Sequence, residues 1–310
     1  MSKTILPLRD KLPLSRALLG IFLYTLMISG TAWMGWLYYV NVKKMRVSDD
    51  QYQLIAIVQS SPQKEGLNTD YLAELLNLSV DRPINLYQFN INEGLNALFR
   101  CPLIKNASIQ KILPGTLYVD YRMRVPEAHL GDYVNMSMDS EGFLFPLKPF
   151  FTPKKLPLVY LGLNNPDLKY GESIREDERF RLAFEILGHL KKIWGAETLD
   201  VKQVDVSHAF AESYGQKQIV VLVEDQSNRV QEGRTVSVVK PIFLRLNPKE
   251  YRQNLANFMV LRKHLRAARQ IATESGSLKG DVVQLSPAVI DLRIAQLAFI
   301  KEWNKIEQSL

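Results

Sequence analysis

The stretch IKNASIQKILPGTLYVDYRMR, residues 104–124, reads as two extended runs joined by one turn. Ile104–Ile112 and Thr116–Arg124 flank Pro114-Gly115, a dipeptide that interrupts regular structure. In the second run Leu117, Val119, Tyr121 and Met123 alternate with Tyr118, Asp120, Arg122 and Arg124, the period-2 pattern of a half-buried strand. So short a connection predicts antiparallel pairing.

Working toward the N-terminus, Asn90-Ile91-Asn92-Glu93 reads as a capping box, with Asn90 accepting from the Glu93 amide while the Glu93 carboxylate reaches back. Ile91, Leu95, Leu98 and Phe99 then share one apolar face, and Pro102 marks the exit. Before it, Asn68 or Thr69 can cap a short helix carrying Tyr71, Leu72, Leu75, Leu76 and Leu78, stopped by Pro83. Tyr52–Val58 is rich in strand formers and ends at Ser60-Ser61-Pro62. The order strand, helix, helix, strand, strand predicts a small α+β domain over 51–127, both helices on one face of its sheet.

Further out, Ala17–Val40 runs 24 residues without a charge. As a helix it would reach about 36 Å, enough to cross a hydrocarbon core of about 30 Å. A cleaved signal peptide has a shorter apolar run ending at small residues, whereas this one closes on Trp33, Trp36, Tyr38 and Tyr39, rings suited to a membrane interface. Gly20, Gly30 and Gly35 would weaken a buried soluble helix but are tolerated in a span. The expected layout is a tail over 1–16, a transmembrane helix over 17–40 in contact with the lipid bilayer, and a charged connector over 41–50. Four cations before the span (Lys3, Arg9, Lys11, Arg16) against three after it (Lys43, Lys44, Arg46) leave orientation open.

Of 310 residues, 46% are hydrophobic and 23% charged, so a sizeable core can be buried, and the length beyond the anchor suits two modest domains. The net charge of +7 is scattered among acids without a basic tract or a nucleic-acid motif, so no nucleic-acid partner is expected. A single cysteine, Cys101 behind a helix end, excludes an intramolecular disulfide and reads as a small buried thiol.

Downstream, Asp139-Ser140-Glu141-Gly142 reads as a hairpin turn whose glycine supplies positive φ. A helix is predicted over about 176–194 through Phe180, Ala183, Phe184, Leu187, Leu190 and Trp194. Strands follow near Val201–Val206, Gln218–Glu224 and Val238–Leu246. Asn247-Pro248-Lys249-Glu250 opens a helix to about Ile271 with Tyr251, Leu255, Phe258, Leu265 and Ala268 inward. Its stripe of Arg252, Arg262, Lys263, Arg266 and Arg269 reads as a solvated face. A mixed-sheet β domain with flanking helices is thus expected over 128–310.

The run Cys101–Ile109, then Leu113-Pro114-Gly115-Thr116-Leu117, then Val125-Pro126-Glu127-Ala128 resembles the POTRA domain of the FtsQ/DivIB bacterial division proteins. Asp139–Phe145 is similar to that family's Asp-x-x-Gly hairpin, Leu156–Gly162 to its Leu-Pro...Gly segment, and Ile290-Asp291-Leu292-Arg293 to the signature opening its last strand. The chain departs from the family after that signature, where Ile294-Ala295-Gln296-Leu297-Ala298-Phe299 stands in place of an aromatic and a glycine.

The resemblance implies a single-pass protein of the bacterial inner membrane at the division septum, its tail cytoplasmic and its domains periplasmic. It implies docking of the short bitopic coiled-coil partners FtsB and FtsL on the last strand, here Ile294, Ala295, Gln296, Leu297, Ala298 and Phe299, entered through Asp291 and Arg293. The residues alone read Asp291 and Arg293, two apart, as a local ion pair or turn anchor.

The four histidines lie far apart, and no phosphate loop, nucleophile elbow or zinc cysteine pair occurs, so no metal, cofactor or small-molecule substrate is expected and the chain reads as non-catalytic. Two further readings are a membrane-anchored enzyme of the cell envelope and a POTRA-bearing translocation protein. The latter wants a barrel or repeated modules.

Overall fold

The computed structural model describes residues 14–63, 65–79, 81–194, 198–231, 234–271, 277–279 and 282–302. The expected tail over 1–16 lies almost wholly outside the described residues. The chain is mixed α+β: one long N-terminal helix, a three-stranded sheet and an 11-stranded mixed sheet. By contact it divides into two units. The first gathers the chain up to Ser60 with Asn68–Leu98 and Ala107–Tyr121, and the second gathers Ser61–Leu67, Phe99–Asn106 and the chain from Arg122 onward.

Helix α1 spans Leu14–Ser48 and is long and apolar enough to cross a membrane. It overrides the expected connector over 41–50, because Asn41–Ser48 holds neither glycine nor proline and Lys43, Lys44, Met45 and Arg46 are good helix formers. A 3-10 turn at Asp50–Tyr52, capped by the Asp49 side chain on the Gln51 amide, delays the first strand to β1, Ala56–Ser60.

In the first unit α2 (Thr69–Leu75) is capped by Asn68, and α3 covers Ile91–Arg100. The Asn90 box closes differently from expectation. Its side-chain oxygen accepts from the Asn92 amide at 3.1 Å, while its nitrogen donates to Glu93 Oε1 at 2.8 Å. Gly94 makes the close approach of α3 possible, since a Cβ there would stand 2.7 Å from Phe89 and 3.0 Å from Ile109. Strands β2 (Ile104–Ile112) and β3 (Thr116–Met123) form the expected hairpin, and β1 adds parallel to β3, giving the order β1-β3-β2. Leu117, Val119, Tyr121 and Met123 are buried as their alternation predicts. Of the face expected on α3, Leu98 is fully buried but Phe99 is exposed, and Gly94 joins Leu98 on the buried side.

In the second unit short strands β4 (Ala128–Leu130), β5 (Met136–Met138), β6 (Leu144–Pro146) and β7 (Leu158–Tyr160) lead to α4 (Glu178–Trp194). Gly142 has φ 78° in the β5–β6 turn, where Asp139 Oδ1 accepts from the Glu141 and Phe143 amides. Next come β8 (Leu199–Asp205), β9 (Ile219–Gln231), β10 (Arg234–Leu246) and α5 (Tyr251–Ile271). The chain ends on β11 (Ser277–Lys279), β12 (Val282–Gln284), β13 (Ala288–Asp291) and β14 (Phe299–Glu302). The sheet runs β6-β5-β4-β7-β8-β9-β10, and both β12 and β13 then lie along β10, with β11 and β14 outside them. Pro241, which has no amide to donate, sits in β10 between the stretches paired with β12 and β13.

Helix α5 corrects one expectation. Arg262, read as part of a solvated face, is buried, because Asp225 on β9 draws it inward: Arg262 Nη2 and Arg266 Nη2 reach Asp225 Oδ1 at 2.8 and 2.5 Å, and both donate to Thr198 Oγ1. Lys263 is exposed, whereas the side chains of Ala268 and Arg269 lie outside the described part. Removing one member of a buried ion cluster leaves the others unpaired in low dielectric. Asp225→Ala should therefore destabilise the full chain in detergent by about 3–5 kcal/mol in chemical unfolding, whereas Lys263→Ala should stay within about 0.5 kcal/mol.

Candidate functional site

The apolar rows of the larger sheet lead to its last edge. Directly paired residues on neighbouring strands share a face, so the registers link Leu130, Val159, Val204, Val221, Leu244, Ile290 and Ile300 into one row across seven strands. The first six are buried to within 1% exposure, and Ile300 on β14 is 43% exposed. Among the described strands β14 pairs only with β13, so its other edge carries no described strand.

The edge arrives later than the sequence suggests. Ile294, Ala295, Gln296, Leu297 and Ala298 form a loop instead of a strand, with Gln296 at φ 62° and the Leu297 amide donating to Ile294 O at 3.2 Å. Only Phe299 of the expected strand belongs to β14. Glutamine seldom adopts positive φ, so no local signal marked the turn. Missed at the same time were Ile300, Lys301 and Glu302. All of 294–299 are exposed, with Ile294, Leu297 and Phe299 each more than half open to solvent.

Asp291 and Arg293 do come together. The guanidinium grips the carboxylate through Nε at 3.0 Å and Nη2 at 2.8 Å, and the Arg293 amide adds a bond at 3.1 Å. Arg245 on β10 approaches the same carboxylate at 3.3 Å while its Nε donates to Gln218, and Arg293 Nη1 donates to Gly215 O at 2.9 Å. These partners, distant in sequence, tie the loop before β14 to the β8–β9 connection. Burial alone would raise the Asp291 carboxyl, but the bonds from Arg293 and the charges of Arg293 and Arg245 outweigh it and hold the group below the ordinary Asp value. The bond to Asp291 likewise raises Arg293.

An open strand edge offers unpaired amides and carbonyls to another extended chain. Shortness and Lys301 are features that blunt an edge, yet β14 holds no proline, and its two hydrophobic residues stand open. No family profile matches the chain, and no curated protein does.

Asp291→Asn should lower stability at neutral pH by about 1.5–3 kcal/mol through loss of charge-assisted bonds. Because the folded carboxyl is held low, that advantage is complete above about pH 4–5 and is lost as pH falls through the lowered value. Unfolding midpoints of both forms across acidic pH should converge accordingly.

Proposed function

We propose that the chain is a non-catalytic bitopic scaffold of the bacterial division complex, related to the FtsQ/DivIB proteins, with residues 51–127 a POTRA-like domain. Helix α1 is its inner-membrane anchor, the short tail faces the cytoplasm, and both domains lie in the periplasm at the septum. It recruits short coiled-coil membrane partners of the FtsB and FtsL kind by strand addition on β14. The observation that carries this reading is the buried row that ends in half-exposed Ile300 on a strand with one described neighbour. A partner strand laid beside β14 would continue that row by one residue. Its backbone bonds would give affinity, and Ile300, Phe299 and the loop side chains Ile294 and Leu297 would give selectivity. Asp291 and Arg293 hold the loop that aims β14 and act on the partner through it.

A photo-cross-linking residue at Lys301, introduced in cells, should capture a small bitopic coiled-coil protein, while the same residue at exposed Lys249 should not. Ile300→Asp should weaken partner recovery at least about tenfold, or about 1.4 kcal/mol, with the larger sheet intact by circular dichroism. Full recovery from Ile300→Asp, or no capture at Lys301 in folded protein, would remove the edge as the docking site.

A further inference from the structure

Three large apolar side chains stand open together at one end of the first unit. Ile112 and Leu113, at the β2–β3 turn, are 46% and 59% exposed, Pro114 beside them is exposed, and Ile55 is 82% exposed. The turn brings Ile55 alongside: Gly115 O accepts from the Ile55 amide at 2.9 Å, and a Cβ on Gly115 would stand 3.6 Å from Ile55 Cγ1. Lys111, the last charge before the turn, is drawn back to Phe89 O at 2.6 Å, and no other charge follows until Asp120. Turns are ordinarily built from polar residues. Single exposed apolar residues are common, whereas a contiguous group at a tip points to a binding surface.

The same end carries α1. The Asn85 side chain donates to Arg46 O at 2.9 Å and to Asp49 O at 3.2 Å. The Leu86 amide donates to Tyr52 O at 2.8 Å and the Leu54 amide to Ile84 O at 2.9 Å, and Gln53 O lies against Gly115. A short run of bonds thus leads from the end of the helix to the turn, all inside one unit. From Leu18 to Tyr39 the side chains of α1 are exposed, while Val40 and Val42 are half-buried, so packing against the helix begins where its apolar run ends. That run is about 36 Å long against a hydrocarbon core of about 30 Å, and tilt takes up the excess, lowering one flank of the unit toward the lipid. We propose that the β2–β3 turn, with Ile112, Leu113 and Pro114 flanked by Ile55, enters the headgroup layer of the leaflet from which α1 emerges, as a second membrane contact of the chain. The site rests on the reading of α1 as a membrane anchor. Burial of these side chains selects the flank that tilts down. The contact is apolar and not ionic: the tip carries no charge, and Asp49 and Asp50 share the segment after Arg46.

The full chain, labelled with nitrobenzoxadiazole on Leu113→Cys and reconstituted in phosphatidylcholine nanodiscs, tests the contact; Cys101 is buried and stays unlabelled in the folded chain. The label should emit to the blue. Lipids bearing a headgroup nitroxide should quench it at least about threefold more than the same label on Asp120→Cys, an exposed position about 13 Å further along β3 from Thr116. Ile55→Asp, which changes only an open side chain, should cut the Leu113 quenching at least about twofold with the circular dichroism unchanged. Added phosphatidylglycerol should alter it little. Equal quenching at Leu113 and Asp120 in an inserted chain would overturn the contact and leave the anchor standing. Quenching undiminished by Ile55→Asp would mean that the helix alone holds the turn at the surface and would overturn the apolar contact, as would quenching that appears only with phosphatidylglycerol. A blue-shifted but unquenched label would give the patch to a second copy of the chain and overturn the lipid. Failure to enter the nanodisc would remove anchor and contact together.

Discussion

The larger sheet depends on the ladder between β9 and β10, thirteen residue pairs long, with Val221 facing Leu244 near its base. Each strand of this hairpin uses its other edge as well: β9 receives β8, and β10 receives β12 and β13 in succession. Among the described strands the hairpin therefore joins the two halves of the sheet. Its β-branched residues on β9, Ile219, Val221 and Val223, are fully buried and supply the centre of the core. Helix α5 is then fastened to it by the paired arginines on Asp225, an interaction that fixes the rotation of the helix about its own axis as well as its position.

The first unit works under a different constraint, backbone proximity. Gly115 lies so near the Gln53 carbonyl that a Cβ would stand 2.1 Å from its oxygen, and its own carbonyl accepts from the Ile55 amide at 2.9 Å. That contact brings the segment before β1 against the β2–β3 turn, so β1 enters parallel to β3. Few side chains are needed to choose the strand order once this approach is made.

Local pattern made much of this architecture readable. The alternation through Leu117, Val119, Tyr121 and Met123, the Asp139–Gly142 turn, and the α4 face of Phe180, Ala183, Leu187, Leu190 and Trp194 are all written within one element. What stayed hidden was set by partners far away in the chain. Arg262 looked solvated because Asp225 is 37 residues distant, and the bonds of Arg293 to Gly215 span 78. The strand expected over Ile294–Phe299 begins only at Phe299, because Gln296 turns the chain where its composition resembles a strand. The continuation of α1 past Val40 is hidden for the opposite reason: the apolar stretch ends there, but the charged residues beyond it sustain the helix to Ser48.

That continuation has a mechanical meaning. Thirty-five helical residues extend about 52 Å, well beyond a hydrocarbon core of about 30 Å. Asn85 clamps the upper end of the helix to the first unit. In a bilayer such a rod behaves as a mast and not as a tether: the azimuth of the first unit is geared to the spin of the span. One residue added between Tyr39 and Val42 would turn that unit by about 100° while lifting it only about 1.5 Å. A turn of the helix about its own axis would thus be carried into that unit, where a flexible linker at the same place would have absorbed it.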